Sequence, residues 1–217
     1  IYLEWSQNSS VVNILNTIVR TDGSSSIEAN NSVEYTLNVN NSFVSGGQLA
    51  IDLPSITTIN FDTTNLTSGL YFTDAANGDY SLSNVSTLLG AGASTATVGG
   101  VSITAPTTDL YGNPRPNPSG TNPDIGAIES PESTPQVGIA AVTTDNGFCQ
   151  TTSGAITANL LNYTGTATYS WSSSTYPTWT WNATQSATGL SSGDYKVVAI
   201  DATSGAKIDS TEITIAT

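Results

Sequence analysis

The chain of 217 residues carries 17 acidic and 4 basic residues and no histidine, so its formal net charge is −13. Four basic side chains cannot build the positive surface that nucleic-acid binding requires, which excludes nucleic acid as a partner. Without histidine and with one cysteine, the chain also cannot form a Ser-His-Asp triad, a Cys-His pair or a histidine zinc site.

Apolar and polar residues alternate along several short segments, which is the pattern of a strand with one buried face. The clearest segments are residues 33–39, 49–53, 167–171 and 195–199. Clusters of Asn, Gly, Ser and Asp separate these segments, and such clusters are typical of turns. No apolar run reaches the roughly 20 residues of a membrane span. The sequence therefore predicts an all-β protein with no membrane span.

A boundary between two domains is predicted at residues 131–135, which read Pro-Glu-Ser-Thr-Pro. Two prolines around a short polar stretch are typical of a semi-rigid linker. We therefore expect a first domain over residues 1–130 and a second over residues 136–217. For the first domain, the short strands and polar corners fit either a sandwich or a solenoid, and periodicity alone does not choose between them.

Four short motifs follow one another in the second half of the first domain. They read GDYSLS at 78–83, LLGAG at 88–92, DLYGNPRP at 109–116 and PDIGAIE at 123–129. Their succession resembles the closing segment of bacterial secreted right-handed parallel β-helix proteins of the pectate-lyase-like superfamily, although LLGAG lacks an aspartate common in that family. The resemblance implies that residues 1–130 are the terminal coils and C-terminal cap of such a β-helix, with further coils upstream.

The same segment contains residues suited to closing a solenoid. An uncovered end would expose a strand edge and a cross-section of the core, both of which favour association with other molecules. Prolines in the run 114–118 cannot continue a ladder, and Arg115 is suited to an ion pair with Asp124 or Glu129. We predict Arg115, Asp124 and Glu129 as structural cap residues, which we favour over a functional role for Arg115.

The first domain offers no convincing catalytic or metal-binding cluster. Its carboxylates are spread out, and a turn pair between Arg20 and Asp22 is favoured over a remnant lyase site. Residues 74–79 lack oxygen ligands at the third and fifth positions of a calcium loop. We therefore predict no catalytic residue and no cofactor, apart from diffuse attraction of Ca²⁺ to the acidic surface.

The second domain contains about seven short strand signals, as in an immunoglobulin-like β-sandwich. Trp171 lies in an alternating strand and is predicted to be core. Trp179 and Trp181 share one face of a strand beside Tyr176. That face is either core or an exposed aromatic surface for sugar rings, so these three residues are candidate glycan-binding residues.

A second resemblance covers most of residues 145–215. The segment TGLSSGDYKVVAID at 188–201 resembles the signature of Ig-like repeats in Bacteroidetes surface proteins, above all the SprB repeat of gliding-motility adhesins. Cys149 fits the first cysteine of that pattern. The family usually places a Gly-Cys after the signature, where this chain has Gly205-Ala206. The resemblance therefore leaves Cys149 without a disulfide partner.

Together the two resemblances imply a non-catalytic extracellular or cell-surface protein, structural or adhesive, with a solenoid stalk and an Ig-like spacer. Its expected partners are upstream coils and downstream domains of the same parent chain, surface glycans, and the secretion or anchoring machinery. Thr63 and Ser210 match the acceptor pattern of Bacteroidetes O-glycosylation. Two alternatives stay open: the cap and appendage of a polysaccharide lyase or hydrolase whose active coils lie upstream, and a carbohydrate-binding module.

Overall fold

The computed structural model describes residues 2–3, 10–21, 27–29, 35–53, 58–146, 153–178, 180–182 and 184–216. Strands, turns and two short 3-10 helices, Gly47–Ala50 and Ala75–Asn77, make up these residues, which confirms the all-β class. The chain divides into two compact units, residues 1–135 and 136–217. Asp22, Cys149 and Trp179 lie outside the described residues.

Within the described ranges, no helix has the length and apolar character needed to cross a membrane.

In the part of residues 1–61 that the structure describes, eight short strands open the first unit. In chain order they are β1 Tyr2–Leu3, β2 Ser10–Leu15, β3 Ile18–Val19, β4 Ile27–Ala29, β5 Tyr35–Asn40, β6 Phe43–Val44, β7 Ile51–Asp52 and β8 Thr58–Phe61. They form three parallel sheets, ordered β1-β4-β7, β2-β5-β8 and β3-β6. An isolated parallel bridge from Phe43 to Leu66 extends the third sheet. Strands of the three sheets thus recur in the same order along the chain.

Three asparagines occupy one register position in successive strands of the second sheet. Asn38 Nδ2 donates to Asn13 Oδ1 at 2.8 Å, across 25 residues of chain, and Asn60 Nδ2 donates to Asn38 Oδ1 at 2.7 Å, across 22 residues. We call Asn13, Asn38 and Asn60 the asparagine ladder; the sequence analysis did not identify it. Because a slip of one residue would break these bonds and turn the apolar face outward, the ladder fixes the register.

The apolar residues that alternate with the polar ones form a core between the parallel sheets. Its buried members are Ile14, Val19, Ile27, Leu37, Val39, Val44 and Ile51. Burying one aliphatic side chain of this size, relative to leaving it in water, stabilises the fold by about 1.5–3 kcal/mol.

The strand predicted at residues 49–53 is only partly correct. Residues 47–50 form a 3-10 helix, and Leu49 is almost fully exposed rather than on a buried face. Gly46 and Gly47 both have positive φ angles, which turn the chain just before this segment. Regular extended backbone resumes only at β7, so the alternation of Leu49 with Ile51 does not correspond to one strand.

The rest of the first unit contains one antiparallel pair and then a long closing segment, residues 83–130, which includes a second antiparallel pair. The strands are β9 Phe72–Asp74, β10 Asp79–Leu82, β11 Thr95–Val98 and β12 Val101–Thr104. Leu88, Leu89 and Ile125 of the closing segment share a second buried cluster with Phe43, and Ile18 packs against this cluster.

The closing segment lies along the side of the parallel strands. Ile18 and Phe43 belong to the second cluster, whereas their chain neighbours Val19 and Val44 belong to the first. Since successive side chains of a strand point to opposite faces, the two clusters lie on opposite faces of the third sheet. The closing segment therefore covers the outward apolar face of this sheet, which would otherwise be exposed. Its role as the C-terminal cap of a solenoid stays a prediction.

The turn of the β11–β12 hairpin packs against the asparagine ladder. Gly99 has a φ of +58°, and a Cβ atom built on it would overlap Asn38 Nδ2 and lie 2.8 Å from Asn13 Oδ1. Gly100, next in the turn, has a φ of +79° and nothing within 4 Å of its Cβ position. The two glycines therefore share a left-handed backbone conformation but differ in how closely they are packed.

We expect Gly99→Ala to lower the free energy of unfolding of the first unit by about 1–3 kcal/mol more than Gly100→Ala does. Both variants place alanine at a positive φ, so the difference isolates the overlap with the ladder. Urea unfolding followed by hydrogen exchange of amides in β2 and β5 measures it. Equal destabilisation by the two variants would show that the turn does not press on Asn38.

Among its described residues, the second unit has seven antiparallel strands in two sheets. They are β13 Gly138–Thr144, β14 Gly154–Leu161, β15 Ala167–Ser173, β16 Thr180–Asn182, β17 Ser186–Leu190, β18 Gly193–Asp201 and β19 Lys207–Ile215. The sheets have the orders β13-β14-β17 and β16-β15-β18-β19. Both contribute to one core cluster, for example Ile156 from the first and Val197 from the second. Trp171 is buried in this cluster, which confirms its predicted core position.

Candidate functional site

An apolar groove of about 570 Å³ lies in the first unit. Three parts of the chain line it: the corner between β2 and β3, the β9–β10 pair, and residues 103–128. Its lining residues include Leu15, Ile18, Phe72, Tyr80, Tyr111 and Ile128. We call this concavity the side groove. Its volume is within the range of binding pockets for small molecules and short peptide segments.

The rim of the side groove exposes large apolar side chains. Tyr80 is 58% exposed, Leu110 68% and Tyr111 71%. The ring of Tyr80 meets that of Phe72 edge to face, with centroids 5.4 Å apart. Exposed aromatic and aliphatic groups around a concave apolar surface are typical of an interaction site rather than of solvent-facing surface. We therefore take the side groove as the candidate functional site.

A buried ion pair supports one wall of the groove. Arg115 Nε lies 3.2 Å from Glu129 Oε2, and the two side chains are only 6% and 0% exposed. Arg115 Nη2 also donates to the main-chain oxygen of Asp124. Glu129 Oε1 accepts from the N–H of Asn117 at 3.1 Å and from the N–H of Asp124 at 3.3 Å. The ion pair thus ties the proline-rich run to residues 124–129.

Asp109 organises the turn that carries Tyr111. Its Oδ1 accepts from the N–H of Tyr111 at 2.9 Å and of Asn113 at 2.8 Å, and its Oδ2 from the N–H of Glu129 at 3.1 Å. Burial raises the pKa of Asp109, but the hydrogen bonds from Asn113, Glu129 and Tyr111 outweigh it and hold the pKa at about 2. Asp109 lies in the DLYGNPRP motif, but no role was predicted for it from the sequence. An aspartate followed by a Gly-Asn turn was the available signal.

Asp124 is the most deeply buried acid of this network. Its Oδ1 accepts from the N–H of Gly90 at 2.7 Å, and its Oδ2 from the N–H of Ser130 at 2.8 Å. Burial raises the pKa of Asp124 to about 6, and the charge of Glu129 adds to this, against the lowering effect of the two N–H groups and Arg115. All three predicted cap residues are therefore brought together, and their polar atoms bind main-chain groups.

The candidate glycan-binding residues are described only in part. Tyr176 is exposed, and its hydroxyl donates to the main-chain oxygen of Ser192 at 2.8 Å. Trp179 lies outside the described residues, and so does the side chain of Trp181, whose backbone pairs with Trp171. The aromatic glycan-binding surface stays a prediction.

The two candidate O-glycosylation residues differ in accessibility. Thr63 is exposed in the turn after β8, where Asp62 Oδ1 accepts from the N–H of Thr64 at 2.8 Å. Ser210 lies in β19, an edge strand of its sheet, and is half-buried. An exposed turn is the more accessible substrate for a modifying enzyme. Modification at both positions stays a prediction.

No family model matches this chain, and no curated protein does. Among the described residues, no three His, Cys, Asp or Glu side chains are grouped so that they could hold a metal ion.

Proposed function

We propose that this chain is part of a non-catalytic extracellular or cell-surface protein with a structural or adhesive role. In this proposal the first unit contains the terminal coils of a right-handed parallel β-helix, and the second is an immunoglobulin-like β-sandwich that serves as a spacer. The observation that carries the proposal is the recurrence of three parallel sheets in a fixed order. A stack in which every repeat is hydrogen-bonded to its neighbours suits a stiff stalk.

The corners of the first unit support the β-helix assignment. Asn16 and Asn41, which follow β2 and β5 at equivalent positions, have φ angles of +50° and +43°. Asparagine tolerates this left-handed conformation better than most residues that have a Cβ atom. Two repeats that turn at the same position with the same residue are what successive coils of one solenoid would produce.

The second unit supports the spacer assignment. Its three-stranded and four-stranded antiparallel sheets enclose one core, as in immunoglobulin-like sandwiches. Tyr195 is buried in β18, and its hydroxyl donates to the main-chain oxygen of Ser191 at 2.9 Å. This bond resembles the tyrosine corner of that architecture, in which a tyrosine hydroxyl holds the preceding loop.

The use of the buried acids supports a non-catalytic role. Hydrolysis of a glycosidic bond uses one carboxyl group to protonate the leaving oxygen and a second one to attack the anomeric carbon or to activate a water molecule. Asp109, Asp124 and Glu129 instead accept hydrogen bonds from main-chain N–H groups of the closing segment. Their lone pairs are thus used in holding the fold.

We expect no turnover when the purified protein is incubated with polygalacturonate or alginate. Unsaturated ends, read by ultraviolet absorbance, and reducing ends should accumulate no faster than with heat-denatured protein.

Beads coated with the native protein, but not beads coated with the denatured one, should be retained on a glycan-coated surface under flow if the role is adhesive. Product formation by the native protein alone would contradict the proposal.

A further inference from the structure

Successive strands of the third sheet are joined at their corners by the same two contacts. The N–H of Phe43 donates to Thr17 O at 2.9 Å, and the N–H of Leu66 donates to Ser42 O at 2.8 Å. In addition, Ser42 Oγ accepts from the N–H of Thr17 at 3.1 Å, and Asn65 Oδ1 accepts from the N–H of Ser42 at 3.0 Å. Each repeat therefore offers one main-chain donor and one side-chain acceptor to the repeat before it.

β3 presents the same pair of groups on its other edge. Ile18 holds the donor position, and Thr17 holds the acceptor position. Thr17 Oγ1 donates to Leu15 O at 2.9 Å, just as Ser42 Oγ donates to Asn40 O at 2.8 Å, so its lone pairs are equally placed for an incoming N–H. In the part of the chain that the structure describes, β3 pairs only with β6.

The side groove lies at this corner. Leu15 and Ile18 line the groove from the corner, and Leu110 and Ile128 line it from the closing segment. The closing segment is fixed to the corner, because the N–H of Gly126 donates to the main-chain oxygen of Asn16 at 3.0 Å. A Cβ on Gly126 would lie 2.9 Å from Ile18 Cδ1, which shows how closely the two parts pack. An apolar cleft therefore adjoins a strand edge that has a donor and an acceptor to offer.

We propose that the side groove binds one more strand of the same stack, carried on a repeat that precedes β1 and paired in parallel with β3. The inference rests on the proposed β-helix and specifies the chemistry of the added strand. Residues 16–19 read Asn-Thr-Ile-Val and residues 41–44 read Asn-Ser-Phe-Val. The added strand should share this pattern of asparagine, a hydroxyl residue, a large apolar residue and valine.

The pattern assigns a role to each position of the added strand. Its hydroxyl residue gives an N–H to Thr17 Oγ1 and a main-chain oxygen to the N–H of Ile18, repeating the contacts between β3 and β6. Its large apolar residue lies beside Ile18, within reach of Leu110 and Ile128. Strand addition of this kind draws affinity from main-chain bonds and specificity from the pocket for alternate side chains.

The test uses a fluorescein-labelled peptide with the sequence of residues 35–45, YTLNVNNSFVS, as a substitute for the preceding repeat. Its binding to the 217-residue protein is followed by fluorescence anisotropy up to about 1 mM peptide, a limit that corresponds to weak association. We expect saturable binding, and we expect exchange of the Ile18 amide to slow by about tenfold or more. The same peptide with the substitution Ser42→Pro lacks the donor to Thr17 Oγ1 and should bind at least fivefold to tenfold more weakly.

Two variants of the protein locate the peptide. Thr17→Val removes the acceptor at nearly constant shape and should weaken binding by about fivefold to tenfold, the equivalent of one hydrogen bond. Leu110→Asp changes an exposed side chain with which the closing segment lines the groove, and it should abolish binding. Thr63→Val, in an exposed turn of a later repeat, is the matched control and should leave binding unchanged.

Three outcomes would overturn the inference. They are no binding at the highest peptide concentration, binding that Thr17→Val and Leu110→Asp leave unaltered, and a protein dimer that Leu110→Asp dissociates, which would assign the groove to a second copy. Hydrogen exchange of the Leu37 amide in the central strand β5 tests the parallel stack independently of the added strand. Slow exchange of Leu37 in the free protein without peptide binding rejects the added strand alone, whereas fast exchange of Leu37 rejects the parallel stack.

Discussion

Glu129→Gln should destabilise the first unit by about 3–5 kcal/mol, the usual cost of removing one partner from a buried ion pair. The substitution keeps the size of the side chain but leaves the guanidinium of Arg115 buried without its counter-charge. In the native protein the N–H groups of Asn117 and Asp124 donate to the carboxylate oxygens of Glu129. In the variant, one of these oxygens is replaced by an amide NH₂ group, which is itself a donor and cannot accept them. Urea unfolding, followed by hydrogen exchange of amides in the closing segment, measures the loss.

The second unit supplies a matched control for this prediction. Lys196 Nζ lies 3.2 Å from Glu212 Oε1, the same separation as in the buried pair, but these side chains are 46% and 77% exposed. Glu212→Gln should therefore have little measurable effect, because water and salt screen an exposed pair. A double variant, Arg115→Met with Glu129→Gln, should recover part of the loss, since no uncompensated charge remains. Equal effects of Glu129→Gln and Glu212→Gln would show that burial does not strengthen the Arg115 contact.

Local alternation was sufficient to predict several strands. The segments 167–171 and 195–199 lie within β15 and β18, because a strand with one buried face imposes a period of two on its sequence. The same reasoning was wrong at Leu49, where two glycines with positive φ interrupt the extended backbone. Alternation reports which side chains could share a face, but it does not show whether the backbone between them is regular.

The contacts that define the parallel sheets and the candidate site join positions far apart in the chain. The asparagine ladder joins repeats of unequal length, 25 and 22 residues, so no fixed spacing marks it in the sequence. Asn16 Nδ2 donates to Ala93 O across 77 residues, and this contact helps fix the closing segment along the side of the third sheet. The residue types and the motif were sufficient to predict that Arg115, Asp124 and Glu129 lie together, but the groove beside them could be found only from the tertiary structure.

Lowering the pH from 7 to about 4 should stabilise the first unit through Asp124. The pKa of this acid is about 6 in the folded protein against 3.8 for the ordinary value, so the folded state binds the proton more tightly than the unfolded state. Its favourable contribution is complete below pH 3.8 and is lost as the pH rises through 6. At about 1.4 kcal/mol per pKa unit, the gain in the free energy of unfolding between pH 7 and 4 is at most about 3 kcal/mol.

Two other acids lower the free energy of unfolding as the pH falls further, so the dependence of stability on pH has a characteristic shape. Asp109 in the first unit and Asp201 in the second both have a pKa of about 2, so their stabilising contributions are lost as the pH falls from about 4 toward 2. The first unit should thus pass through a stability maximum near pH 4. Asp124→Asn should remove the rise between pH 7 and 4 while leaving the acid loss in place. Urea midpoints of the two units, measured by hydrogen exchange at successive pH values, test this prediction. If the free energy of unfolding of the first unit falls steadily from pH 7 downward, Asp124 stays ionised among its N–H donors.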